Sequence, residues 1–233
     1  MTNASPTKAM TNWTDLYREA RKRIAALMRE ASAEQRARIV PACPDWTVSD
    51  TVAHLAANAA DLLTGRLQGV PTEEQTAAQI DQRRGQPLEE VLTEWDIAAG
   101  PVERKLAAGK LTLALVQDVL VHEADIRGAL GAGRLPEEAW TSSLELGVGR
   151  AAERMDHLGE LKIFAGKHHF IVGSDQPVTT VEVDPYELWR AMPGRRSRAQ
   201  MAAWNWSGDP QPYLQAIPIF GPTEVTLTEP EVG

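Results

Sequence analysis

The stretch Gln117-Asp118-Val119-Leu120-Val121-His122-Glu123-Ala124-Asp125 lies inside a longer segment, Lys110 to Leu130, whose reading decides the architecture. Val116, Val119, Leu120 and Ile126 recur at steps of three and four, which predicts one long helix with an inward face. Gly128, Gly131 and Gly133 end it, since glycine enters the left-handed cap conformation without a Cβ penalty. Asp118 and His122 stand at i and i+4 and so share a face one turn apart. A carboxylate beside a buried stripe needs a partner, because burying it alone is costly. A metal ion is one such partner and a salt bridge another, and the pair by itself does not choose between them.

Working toward the N-terminus, residues 1–11 read as a disordered tail. From Trp13, the spacing of Leu16, Ala20, Ile24, Leu27 and Met28 predicts a first helix. A polar, extended connection is expected up to Pro41 and Pro44, which forbid helix there. Thr47 with Asp50 forms a capping box for a second helix, whose core stripe is Val48, Val52, Leu55, Ala59 and Leu62 and which stops near Gly65. A weaker helical segment is expected from about Thr72 to Gly85, and Pro87 opens another that runs through Trp95 toward Leu106. Four substantial helices joined by modest loops predict an antiparallel bundle over residues 12–134.

Toward the C-terminus the texture changes. A helix is expected over Leu135 to Leu158, opened by Pro136. Beyond Gly159, β-prone runs occur at Leu161–Phe164, Phe170–Val172, Val178–Val183 and Glu224–Leu227. Helices are expected near 186–192, 197–204 and 212–219. Residues 135–233 therefore read as a small α+β domain, and the whole chain as an α+β protein.

The 233 residues carry a formal net charge of -8, which argues against a phosphate backbone as the main partner. No apolar run is long enough to span a bilayer. Cys43 is the only cysteine, so a reducing cytoplasm is the expected compartment. With no basic residue near it in sequence, Cys43 reads as a structural thiol packing beside Trp46 rather than as a nucleophile.

His54, in the second helix, shares a polar stripe with Thr51, Asn58 and Asp61. Such a stripe fits a cavity inside the bundle, and equally a half-exposed helix flank. Two histidines and one carboxylate from different helices, with positions left for water or substrate, would describe a catalytic zinc site. Asp125, three residues after His122, could orient an imidazole or form a salt bridge with Arg127. Glu123 points about a quarter turn away. Arg190, Arg195, Arg196 and Arg198 are the densest positive charge in the chain and suit a carboxylate-bearing small molecule such as a dicarboxylate, or simply a solvated helix start. His168 and His169 are neighbours on an expected strand and so face opposite ways. His157 is placed to complement a helix dipole, and Trp189, Trp204 and Trp206 read as core or cleft aromatics.

Two segments carry a resemblance: Val40-Pro-Ala-Cys-Pro-Asp-Trp-Thr-Val-Ser-Asp-Thr-Val-Ala-His54, and Gln117 through Gly131 as above. Both resemble signatures of the mycothiol-dependent maleylpyruvate isomerase family, as do Glu187–Arg198 and Trp206–Pro210. The resemblance implies a DinB-like four-helix bundle followed by a sterol-carrier-like α+β domain. It implies a divalent metal, zinc, on His54, Asp118 and His122, with mycothiol as thiol cosubstrate. Asp118 departs from the pattern, where the carboxylate is often Glu, so the metal must sit closer to the helix or be bound differently. Arg195, in Pro-Gly-Arg, matches the family's catalytic arginine, with Arg196, Arg198 and Trp46 as substrate-binding candidates and Asp125 behind a ligand histidine. The implied activity is isomerisation of, or thiol transfer to, a small electrophile. A non-catalytic module holding a metal or an apolar ligand is the competing expectation.

Overall fold

The structure is a computed structural model that describes residues 11–174 and 176–227. The expected tail lies outside the described residues except for Thr11, whose hydroxyl stands 2.8 Å from that of Ser142.

Helix α1 (Trp13–Glu30) starts at Asn12, whose side chain accepts from the Asp15 amide, and buries Tyr17, Ala20, Ile24 and Met28 along one stripe. The connection expected to be extended contains more order. A one-turn helix α2 (Ala33–Arg36) is closed by a Ser32–Gln35 capping box, and β1 (Ile39–Val40) pairs antiparallel with β2 (Cys43–Thr47). Pro41 falls in the turn between these strands, and Pro44 is tolerated because the pair is an isolated ribbon with free edges.

Thr47 ends β2 and caps α3 (Val48–Thr64): its hydroxyl accepts from the Asp50 amide at 3.0 Å, and Asp50 Oδ2 accepts from the Thr47 amide at 2.9 Å. Gly65, at φ 74°, closes this helix. Next come α4 (Glu73–Asp81) and α5 (Leu88–Ala107), the latter carrying Pro101 internally. The long helix expected from Lys110 is shorter. Gly109 turns the chain at φ 64°, the Thr112 hydroxyl accepts from the Ala114 amide, and α6 spans Ala114–Leu130. Helices α1, α3, α5 and α6 form the bundle, with α3 packed on α5 and α6, and α1 on the same two. At its centre the Trp95 indole donates to the Tyr17 hydroxyl at 3.0 Å, which satisfies a polar tip that burial would otherwise penalise.

Helix α7 (Glu137–Met155) follows, then a four-stranded sheet in the order β4-β3-β5-β6. Strands β3 (Leu161–Ala165) and β4 (His168–Val172) form a hairpin, β5 (Thr179–Glu182) runs parallel to β3, and β6 (Asn205–Ser207) is antiparallel to β5. The fourth strand is thus 205–207, not the expected 224–227. Among the described residues the later segment joins no sheet: a bridge between Ser197 and Thr223 precedes it, and Leu227 is held by the Gln200 side chain. Trp206 pairs with Val181 in the ladder, stacks near Trp204 and Tyr213, and donates to the Met201 carbonyl, so packing rather than strand propensity selects it. Helices α8 (Pro185–Ala191), α9 (Arg198–Ala202) and α10 (Gln211–Ala216) complete the fold.

One buried cluster runs through both halves, and α7 bridges them by packing on α6, α8, α10 and β4. The chain is α+β: a helix-rich N-terminal part followed by a small sheet unit. Among the described residues, no helix is long and apolar enough to cross a membrane.

Candidate metal centre and its cavity

The capped start of α3 sets the rotation of everything after it. Thr51, His54 and Asn58 follow at steps of three and four, and all three are buried on the face turned to α6. Across the gap, α6 presents Asp118 and His122. His54 Nε2 lies 3.5 Å from Asp118 Oδ2, and His122 Nε2 lies 3.5 Å from Asp118 Oδ1. One donor atom from each residue falls within 4.8 Å of the other two. Tetrahedral bonds of about 2.1 Å separate neighbouring ligand atoms by roughly 3.4 Å, close to each of the two histidine–carboxylate separations.

The surroundings also suit a cation. Asn58 Nδ2 stands 3.0 Å from His54 Nε2 and 3.1 Å from Asp118 Oδ2, so an electropositive amide already bridges two of the donors. Among the described residues, Asn58 Oδ1 and His54 Nδ1 are buried without hydrogen-bond partners, a cost that a site built only for internal hydrogen bonding would avoid. Burial pushes the Asp118 carboxyl up, but His122, His54 and Asn58 outweigh it and hold it near 2, so it is ionised and ready to ligate. The Trp46 ring covers both imidazoles, 5.0 Å from His54 and 5.7 Å from His122.

Asp125 is not a surface residue. Its side chain is fully buried, with Oδ2 3.1 Å from His122 Nδ1. It accepts from Arg190 Nη2 at 2.6 Å and Arg195 Nη2 at 2.9 Å, while Arg127 turns instead to Glu123. Burial alone would raise the Asp125 carboxyl, and Arg195 and Arg190 hold it well below the usual carboxylate range. Glu123 is gripped from the far side by both Nε and Nη2 of Arg23 at 2.7 Å, which removes it from the cluster.

The arginine group does not converge. Arg195 alone of Arg195, Arg196 and Arg198 reaches the cavity wall; Arg196 is taken up by Glu187 and Arg198 by Gln215 and Glu224. Arg195 also brings a cation to Cys43, Nη2 to Sγ at 3.6 Å, that sequence distance hid. Burial nevertheless pushes the Cys43 thiol up to about 12, and Asp125 adds to it, so the thiol stays protonated. Cys43, His122 and Asp125 form a second close group, but the two guanidiniums on Asp125 repel a cation there. His168 faces Phe170 and His169 faces Phe164, away from the cluster and on opposite sides of β4.

Asp118, His122, Trp46 and Asn58 open on a cavity of about 420 Å³ between the bundle and the sheet unit. Sequence reasoning missed the pairing of two of its polar residues, Gln117 and Arg150: Gln117 opens the quoted motif but Arg150 lies in none, and 33 positions separate them.

Fold and site together define a class: a four-helix bundle with a His–Asp–His cluster at its mouth, closed by a small sheet unit. Residues 17–127 match the family model of the mycothiol maleylpyruvate isomerase N-terminal domain. A crystal structure of a histidine-to-alanine mutant of mycothiol-dependent maleylpyruvate isomerase superimposes with a TM-score of 0.50 at 14% identity, over 84% of this chain and 91% of that one. A second structure of a mycothiol-dependent maleylpyruvate isomerase gives 0.49 at 15% identity, over 78% and 88%. At such identity the first likeness shows a shared fold. No curated protein matches the chain.

Proposed function

We propose that this chain is a mycothiol-dependent enzyme, an isomerase or S-transferase, using a divalent ion held by His54, Asp118 and His122. The observation that carries the reading is the pair of 3.5 Å separations, one to each Asp118 oxygen, in a cluster of two buried histidines and a half-buried carboxylate that opens on a ligand-sized cavity. Two imidazole nitrogens and a carboxylate favour Zn²⁺. When bound, the ion supplies Lewis-acid stabilisation of a thiolate at neutral pH.

The protein's own groups do the rest. Residues 12–134 carry the donors, and residues 135–233 supply the opposite wall of the cavity. Asp125 fixes the His122 ring, and Arg190 and Arg195 fix Asp125 in turn. Trp46 excludes water from one side of the imidazoles. Arg195 stands at the cavity wall with its Nε and Nη2 on Asp125 and its Nη1 on the Pro193 carbonyl, and gives that wall a positive edge. The chemistry matched to this layout is addition of the thiol sulfur to an electron-poor double bond, with the π electrons moving onto the activating carbonyl. Rotation and expulsion of the same sulfur give isomerisation; protonation and release of the adduct give transfer.

Calorimetric titration of the purified chain with mycothiol, with and without chelator, tests the reading. Wild-type protein should bind mycothiol only when metal-loaded, and His54→Ala should lose that dependence. Equal binding by both proteins in chelator would sink it.

A further inference from the structure

The cavity's charges are unequally committed. Arg195 faces the fully buried Asp125, which accepts from its Nε and Nη2, while its Nη1 donates to the Pro193 carbonyl. Arg150, on α7, also lines the cavity, and its guanidinium makes one hydrogen bond, Nη1 to Gln117 Oε1 at 2.6 Å. Gln117 is neutral, and among the described residues no carboxylate lies within ion-pair distance of Arg150. A part-buried guanidinium without a counter-charge is an anion site by electrostatics alone. Its placement is pointed: Gln117, which carries it, directly precedes the metal-cluster residue Asp118 on α6, and both open on the same space.

Most of the remaining wall is apolar. Leu62, Leu115 and Val121 come from the bundle, and Trp189, Met192 and Phe220 from the sheet unit. Arg154 shapes this side by donating to the Ala216 and Ile217 carbonyls, which holds the end of α10 and the Ile219–Phe220 segment after it against the cavity. Phe220 is 79% exposed and Val70 68%, leaving an apolar rim where a soluble protein gains nothing from one. A small, doubly charged reactant would lose hydration against these walls, and with Arg195 on Asp125 and Arg154 on three backbone carbonyls, Arg150 is the guanidinium with the most N–H groups left to offer.

We propose that the electrophile used here is an apolar-bodied monocarboxylate, with its carboxylate on Arg150 and its hydrocarbon body on the Leu62–Leu115–Met192 wall. The proposal rests on reading this cavity as the reaction chamber. It names a substrate class of greater bulk and lower charge than a short dicarboxylate.

The test is equilibrium binding of three probes, cinnamate, methyl cinnamate and maleate, to the full chain as purified and again in chelator. Wild type should bind cinnamate about tenfold or more tightly than either other probe, the scale of one charge-assisted contact. Arg150→Gln should abolish the acid-over-ester preference, and Arg150→Lys should restore part of it, at unchanged metal content and circular dichroism. The proposal is overturned if maleate binds best, if Arg150→Gln keeps the preference while Arg195→Gln loses it, or if chelator alone removes it. Failure of the metal reading is a separate result: a chain without bound metal that still prefers acid over ester through Arg150 refutes the mechanism and leaves the anion site standing.

Discussion

Asp125 shows how much one carboxylate does at this site. It lies against His122 and is held by two guanidiniums from the sheet unit, all within the buried interior. Asn there would keep the shape and remove the charge that opposes Arg190 and Arg195. Breaking such a buried pair costs about 3–5 kcal/mol, and loss of the group behind a ligand histidine lowers metal affinity about 10- to 100-fold. Asp125→Asn should show both effects, in urea denaturation and in competition with a metal indicator. The pH dependence follows from the depressed carboxyl. Its stabilisation is whole above the unfolded value of about 3.9 and is lost as pH falls through the folded value. Wild-type stability should therefore drop with acid below about pH 4, and Asp125→Asn should lack that part of the slope. Identical slopes would assign the acid sensitivity to other groups.

Elements were legible where a period and a cap coincided. The Thr47–Asp50 box and Gly65 bracket α3 as the sequence predicts, and this capped start aligns His54 and Asn58 with α6. Thr47→Ala should cost about 1 kcal/mol, read from the denaturation midpoint, and loosen metal binding because the helix face is no longer fixed at its first turn. Unchanged metal affinity in that variant would make the cap a matter of stability alone. Short elements were not legible. The two residues of β1 and three of β6 are too few to show alternation, and Asn205 and Ser207 carry little strand preference. Val225 and Thr226 do carry it, yet among the described residues their segment joins no ladder. The three donors could be named because helical spacing is local for Asp118 and His122, while the approach of α3 that adds His54 is not. Arg150 and the Arg190–Asp125 contact lay beyond reach for the same reason: nothing in α7 or α8 announces which face meets α6.

At the scale of the whole molecule, the bundle provides the donors and the sheet unit closes the chamber over them. Asp125 joins the two physically, since its carboxylate from α6 takes both arginines from the other half. The family model ends at residue 127, so the wall contributed by α7, α8 and the segment after α10 is where this chain can set its own selectivity. The mechanism proposed for that chamber depends on the cluster holding an ion. The direct test is elemental analysis of the purified full chain beside Asp118→Ala, with circular dichroism to confirm that both are folded. One equivalent of a divalent metal in the wild type, lost in the variant, is the expected result. A folded wild-type protein that takes up no stoichiometric metal, even after incubation with Zn²⁺, would contradict it.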